Sequence, residues 1–115
     1  MNISKATRTA LIPIKREIKS LSTEYAYLLE KQGNIVAISK GSSSRVPVPF
    51  IKEARIFTHN HPIFEKAPSV LHGLTPNDIG IGVERGFSEV SAVTPNGFCY
   101  LVEIPKLGAY TVFGK

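Results

Sequence analysis

"ARIFTHNHP", residues 54–62, is the stretch on which the reading of this chain turns. Ala54 to Phe57 have the character of a buried strand near its end, and two imidazoles then follow one residue apart before Pro62 stops the segment. Side chains alternate faces along a strand, so His59 and His61 point to the same side. Two imidazoles on one face can meet a single metal ion, and they can equally sit in a polar surface turn. The spacing alone leaves both readings open.

Working outward, the flanking segments place this strand inside a mixed sheet. Upstream, "TEYAYLLE" (23–30) and "NIVAISK" (34–40) are rich in aromatic and β-branched residues and are separated by "KQG", the pattern of a β-hairpin. Earlier still, Pro13 is expected to break the first segment, after which "IKREIKSL" sets Ile14, Ile18 and Leu21 on one helical face. "VPVPFIKEA" carries too many prolines for a central strand. Downstream, "TPNDIGIGVERG" (75–86) opens like a helix, with a threonine cap, proline at the first position and an acid in the first turn. Gly80 and Gly82 weaken that helix and Gly86 ends it. "SEVSAVT" and "FCYLVEI" flank "PNG", which predicts a second hairpin, and "AYTVFG" adds a last short strand. The order predicts an α/β sandwich, a mixed β-sheet flanked by helices, in one domain over residues 1–115.

Composition narrows the function classes. The 115 residues are 43% hydrophobic, and no apolar run approaches the ~20 residues of a membrane span, so a membrane role is not expected. The N-terminus lacks the apolar core and cleavage pattern of a secretory signal. A lone cysteine, Cys99, permits no intrachain disulfide and no thiolate-rich zinc site, which makes a reducing cytoplasm the expected location. Ten Lys/Arg against four Glu in residues 1–56, and four against five acids thereafter, give +6 and −1 and recover the net +5. That basic half suits an acidic protein partner or nucleic acid. Its charges are scattered singly, without interleaved aromatics, and so read first as a solvated face.

A metal ligand beyond the two histidines is offered by Asp78. Thr75 and Asp78 have the spacing of a capping box, which explains both without any metal. A carboxylate in the first turn of a helix at the edge of a sheet is also placed to bind a cation. His59, His61 and Asp78 would leave a fourth position open, as catalytic zinc sites do, whereas structural sites are closed by four protein ligands. A hydrolytic site of this kind also needs a base that is not a ligand. Glu24, at the start of the "EYAYLL" strand, is the best-placed upstream carboxylate. Glu30 lies at the strand's other end and Glu17 on the basic helix face, so both read as solvated.

The ordered set of Glu24, "HNHP" at 59–62 and "TPND" at 75–78 resembles the JAMM motif of the JAB (MPN+) metallopeptidases, a glutamate followed by H-x-H-P and S-x-x-D. The form "FTHNHP" is most like the small bacterial and phage domains of the RadC-like branch. The resemblance spans about residues 14 to 103 and implies a JAB, cytidine-deaminase-like fold. It implies zinc held by His59, His61 and Asp78, with Glu24 as general acid/base for a zinc-activated water. Thr75 stands where the family has serine, whose hydroxyl stabilises the oxyanion. The reaction implied is hydrolysis of a peptide or isopeptide bond in a peptide or protein substrate, with no oligomeric state fixed. This chain departs from the pattern at Thr75 and in the twelve residues between Pro62 and Thr75, which include His72, read as a loop residue. The enlarged loop is expected to lie over the site.

Other readings of the same letters are weaker. HNH nucleases spread their three residues over a ββα unit, and a contiguous triplet does not reproduce that arrangement. Zinc nucleoside deaminases need H-x-E and P-C-x-x-C ligands, which are absent. An inactive JAB-like module that binds a partner through its basic half is the alternative from a different class.

Overall fold

A helix, α1, covers Lys5–Ile18 and runs straight through Pro13. The expectation that Pro13 ends the first segment is therefore corrected. Proline inside a helix removes one backbone bond and costs about 3 kcal/mol. Here Leu11, upstream of it, and Ile14 and Ile18, downstream, are all buried in one cluster with Leu29, Ile56 and Val93. The apolar stripe is continuous across the proline, and Pro13 itself points to solvent. Burial of side chains on both sides of Pro13 outweighs the lost bond. The structure, a computed structural model, describes residues 5–42, 45–62, 75–95, 97 and 99–105. The expected last strand at "AYTVFG" and the 63–74 loop with His72 lie outside the described residues.

The remaining elements follow the predicted order. Strands β1 (Tyr25–Leu29) and β2 (Ile35–Lys40) form the first hairpin, and β3 (Ile56–Asn60) carries the first histidine. Helix α2 (Pro76–Arg85) then leads to β4 (Glu89–Val93) and β5 (Cys99–Glu103). The sheet runs β2-β1-β3-β4-β5 and is mixed: β3 and β4 are parallel and the other neighbours antiparallel. The parallel pair is the one joined through α2, as a crossover connection requires. Both central strands β3 and β4 are buried along their whole length, whereas β5 at the edge is largely exposed.

Alternation along the strands sorts the core into two layers. Leu29, Ile56 and Val93 face α1, while Leu28, Phe57 and Val90 pack with Phe87 and Ile104 on the α2 side. The architecture is an α/β fold, a five-stranded mixed sheet with a helix on each face. Helix α2 lies close to the sheet because Gly82 is buried against it. A Cβ at that position would come within 2.6 Å of Val90 Cγ2 and 2.5 Å of Ile104 Cδ1. The glycine that lowers helix propensity is thus what lets the helix dock. No helix among the described residues is long and apolar enough to cross a membrane.

Candidate metal centre

The site forms where β3 ends and α2 begins. Pairing of Ala26 with His59 and of Leu28 with Phe57 puts these four residues on the α2 side of the sheet. His61 lies two residues beyond His59, and its N–H donates to the Val93 carbonyl at 2.9 Å, so β4 holds the chain straight past the formal end of β3. Both imidazoles consequently lie on the same face, as their spacing predicts. The His59 ring is 1% exposed and stacks on Phe57 at 4.5 Å between centroids, with 15° between planes. Phe57 is a buttress that the motif reading did not identify; its place two residues upstream on the same strand is the signal that could have found it.

Asp78 reaches the same point from α2. Thr75 is the N-cap, its Oγ1 accepting from the Asp78 N–H at 3.1 Å, while Asp78 Oδ2 accepts from the Thr75 N–H at 3.0 Å. Gly86 closes the other end in the left-handed region at φ 74°. The same Asp78 carboxylate faces both rings, with Oδ1 3.4 Å from His59 Nε2 and Oδ2 3.3 Å from His61 Nε2. The capping contacts and a position facing both imidazoles, alternatives on sequence alone, coexist in one side chain. The cap leaves one lone pair or more on each carboxylate oxygen free to face the histidines.

The three side chains fit a small divalent metal ion. Among the described residues, His59, His61 and Asp78 are the group whose ligand atoms gather in this way, all within 4.8 Å of one another. His59 Nε2 and His61 Nε2 are 2.9 Å apart, and the two nitrogen-to-carboxylate distances are 3.4 and 3.3 Å. Ligands set tetrahedrally at about 2.0–2.1 Å from one zinc ion stand about 3.3 Å from each other. The two nitrogen-to-carboxylate distances, each to a different oxygen of Asp78, lie near that value, and the nitrogen-to-nitrogen distance is shorter by a few tenths of an ångström. One donor detail is less complete. A ligating histidine ordinarily donates its second N–H, yet Nδ1 of His59 is buried with no hydrogen-bond partner. The Ser91 backbone lies close enough to favour the protonated ring, but it does not complete that bond.

Electrostatics put the donors in the form a metal needs. Burial lowers the pKa of His59, against the opposing influence of Asp78, and keeps the ring neutral. For Asp78 burial pushes upward, but hydrogen bonds from His59 and His61 and from the Thr75 N–H outweigh it. Its carboxyl is held well below the usual carboxylate range. A neutral His59 imidazole and an ionised Asp78 carboxylate are in the ligating form.

Glu24 borders this cluster. It precedes β1, and continuing the β1–β3 register sets it opposite His61 on the same face. Only 8% of it is exposed. Burial raises its pKa, with His61 pulling it down and Asp78 pushing it up, so its carboxyl senses both ligands. Its backbone is tied to the start of the following loop, N–H to the Ser42 carbonyl at 2.7 Å and carbonyl to the Gly41 N–H at 2.8 Å. The other upstream carboxylates lie elsewhere: Glu17 is exposed, and Glu30 Oε1 accepts from the Asn34 N–H in the hairpin turn at 3.0 Å. The structure therefore brings Glu24, His59, His61, Thr75 and Asp78 to one end of the sheet. Comparison with protein-family models, curated proteins and solved structures finds no match to this chain, so the motif and this geometry stand by themselves.

Proposed function

We propose that the chain is a zinc-dependent hydrolase of the JAMM type, with a JAB-like fold, that cleaves a peptide or isopeptide bond. The observation that carries this reading is the convergence of two imidazole nitrogens and one carboxylate, from two separate elements, within 4.8 Å. Zinc, when bound, would act as a Lewis acid and lower the pKa of water from 15.7 to about 7. His59, His61 and Asp78 would hold it.

Glu24 is the residue for proton transfer. Burial raises its pKa, which brings a carboxyl closer to the neutral range where it can both accept and return a proton. Thr75 is placed to act on the substrate carbonyl. Its Oγ1 already accepts the Asp78 N–H, and its own O–H proton remains to donate toward developing negative charge. The mixed sheet supplies rigidity: His59 sits on a central, fully buried strand, and Asp78 is locked by the capping box.

Metal analysis of the purified chain tests the reading first. One zinc per chain is expected, and it should be lost in His61→Ala while the fold persists. Folded wild-type protein that takes up no zinc under zinc-replete conditions overturns the proposal. With zinc present, a library of peptide and isopeptide substrates then assays hydrolysis, and Glu24→Gln should keep the metal and lose turnover.

A further inference from the structure

Between the two histidines, Asn60 points to the opposite face of the sheet, toward α1, and is completely buried. Its carboxamide does not serve the sheet ladder. Oδ1 accepts from the Tyr25 N–H at 2.6 Å, and Nδ2 donates to the Thr23 carbonyl at 2.9 Å, with a longer reach of 3.4 Å to the Leu21 carbonyl. The Thr23 carbonyl and the Tyr25 N–H belong to the two peptide groups that flank Glu24. One side chain therefore closes both peptide units around that residue, while Ser42 and Gly41 satisfy its own N–H and carbonyl. The partners also fix which way the amide faces, since an N–H can only donate and a carbonyl only accept.

We infer that Asn60 is the positioning residue for Glu24, tying the backbone of the acid/base to the strand that carries the two metal ligands; this rests on the hydrolase reading above. The chemistry selects asparagine. Aspartate has no donor for the Thr23 carbonyl, serine is too short to span both groups, and leucine removes the partner of two partly buried groups, the Tyr25 N–H and the Thr23 carbonyl, a loss of about 1–3 kcal/mol for each that water does not reach. The arrangement makes the register between Glu24 and His61 a covalent distance of one residue on β3 plus two short hydrogen bonds. A group moved by 1 Å from its productive position can lose about 10²-fold in rate, which is why such a clamp matters to a base and not only to the fold.

Cobalt(II) loading of the intact chain tests this without a substrate, because cobalt(II) takes the same nitrogen and oxygen donors and absorbs in the visible. Glu24→Gln should shift the visible bands, since Glu24 borders the metal. Asn60→Ala should keep one cobalt per chain and shift the bands as Glu24→Gln does, with no further shift in the double variant. Exchange of the Tyr25 amide should speed up at least tenfold. Asn60→Ser serves if the alanine variant does not fold. Thr58→Val is the structural control. It removes the buried 2.8 Å bond from Ser91 Oγ to Thr58 Oγ1 on the same strand and face, and it should leave the bands unchanged. Wild-type-like bands in the Asn60 variants, or an equal shift in Thr58→Val, overturn the positioning role. Failure of the wild-type chain to bind cobalt overturns the hydrolase reading instead, and with it the role assigned to Asn60.

Discussion

The Nε2 atoms of His59 and His61 stand 2.9 Å apart, at hydrogen-bonding distance, one ring donating to the other. Burial lowers the His59 pKa below its ordinary 6.5. A depressed histidine contributes stability that is present above 6.5 and lost as pH falls through its folded value. The metal-free chain should thus lose thermal stability on acidification below pH 6.5, and His59→Gln should blunt that loss. Added zinc should raise the melting temperature at pH 7, with about 2.7 kcal/mol of stabilisation when free zinc is 100 times its Kd. Melting curves against pH, with and without zinc, check both statements.

The double role of Asp78 separates two substitutions that look alike. Asp78→Ala removes the reciprocal cap, at about 1 kcal/mol, and the carboxylate ligand as well. Asp78→Asn keeps an oxygen to accept from the Thr75 N–H and loses the negative charge facing both histidines. The expected result is that metal uptake collapses in both, while Asp78→Ala, which loses the cap as well as the charge, lowers the stability of the metal-free chain more than Asp78→Asn does. Denaturant unfolding of the two variants beside a zinc titration distinguishes the roles.

Two glycines in α2 predict opposite signs. A Cβ at Gly80 would meet nothing within 4 Å, so Gly80→Ala should stabilise by about 0.5–1 kcal/mol through helix propensity alone. At Gly82 the same change drives a methyl into Val90 and Ile104, and overpacking of this kind costs about 1–3 kcal/mol. Propensity and packing oppose each other there, and packing should win. Urea midpoints of the two variants, moving in opposite directions, are the check.

Those glycines show where sequence reading stops. Local chemistry made the elements legible: the Thr75 cap with Pro76, the αL glycine at 86, the two hairpins, and the same-face spacing of His59 and His61 all follow from periods and turn rules. Pro13 misled because its cost is local and what offsets it is tertiary, the burial of Leu11 on one side and Ile14 and Ile18 on the other. Gly82 reads in sequence as a weak helix position, since nothing in the chain order announces that Val90 lies beneath it. Asn60 was the unremarked middle letter of the motif. Period two sends it to the far face, and its partners Leu21, Thr23 and Tyr25, at and just before the start of β1, lie 35 to 39 positions away. The candidate cluster was visible because each member lies at a strand or helix end with a local signature; the clamp around Glu24 was not, because it has none.

Arg8 bridges a cross-strand pair of like charges, Glu89 and Glu103, which face each other in the β4–β5 register. Glu89 is fully buried, and Arg8 Nη1 stands 2.9 Å from its Oε1 as an ion pair. Burial raises the Glu89 pKa above 4.5, with Arg8 and Lys15 opposing it. A raised carboxyl favours the folded state below 4.5, and this contribution is lost as pH rises through the folded value. Arg8→Ala removes the main opposing charge. Breaking a buried pair costs about 3–5 kcal/mol, and the partial exposure of Arg8 reduces this to about 2 kcal/mol at pH 7. The loss should shrink toward pH 4.5 and be largely recovered in Arg8→Ala/Glu89→Gln. A stability series from pH 4.5 to 8 reads both effects.

Glu24 is where stability and the proposed chemistry meet. A base must be ionised to accept a proton, so hydrolysis should fall on acidification through the Glu24 pKa. Burial is the largest influence on that pKa and raises it, His61 draws it back, and Asp78 raises it again. In the metal-free chain the Glu24 carboxyl should therefore titrate above the ordinary 4.5, and the positive charge of bound zinc should place the acid limb of kcat/KM below that metal-free value. Glu24→Gln keeps the volume and the backbone contacts to Ser42 and Gly41 and removes the proton acceptor. It should lower kcat by about 10²–10⁴-fold, flatten the acid limb and leave zinc content unchanged. Full turnover in a zinc-loaded Glu24→Gln protein would assign the proton transfer elsewhere. A variant that loses zinc together with activity would make Glu24 a ligand, at odds with the cluster of His59, His61 and Asp78 found among the described residues.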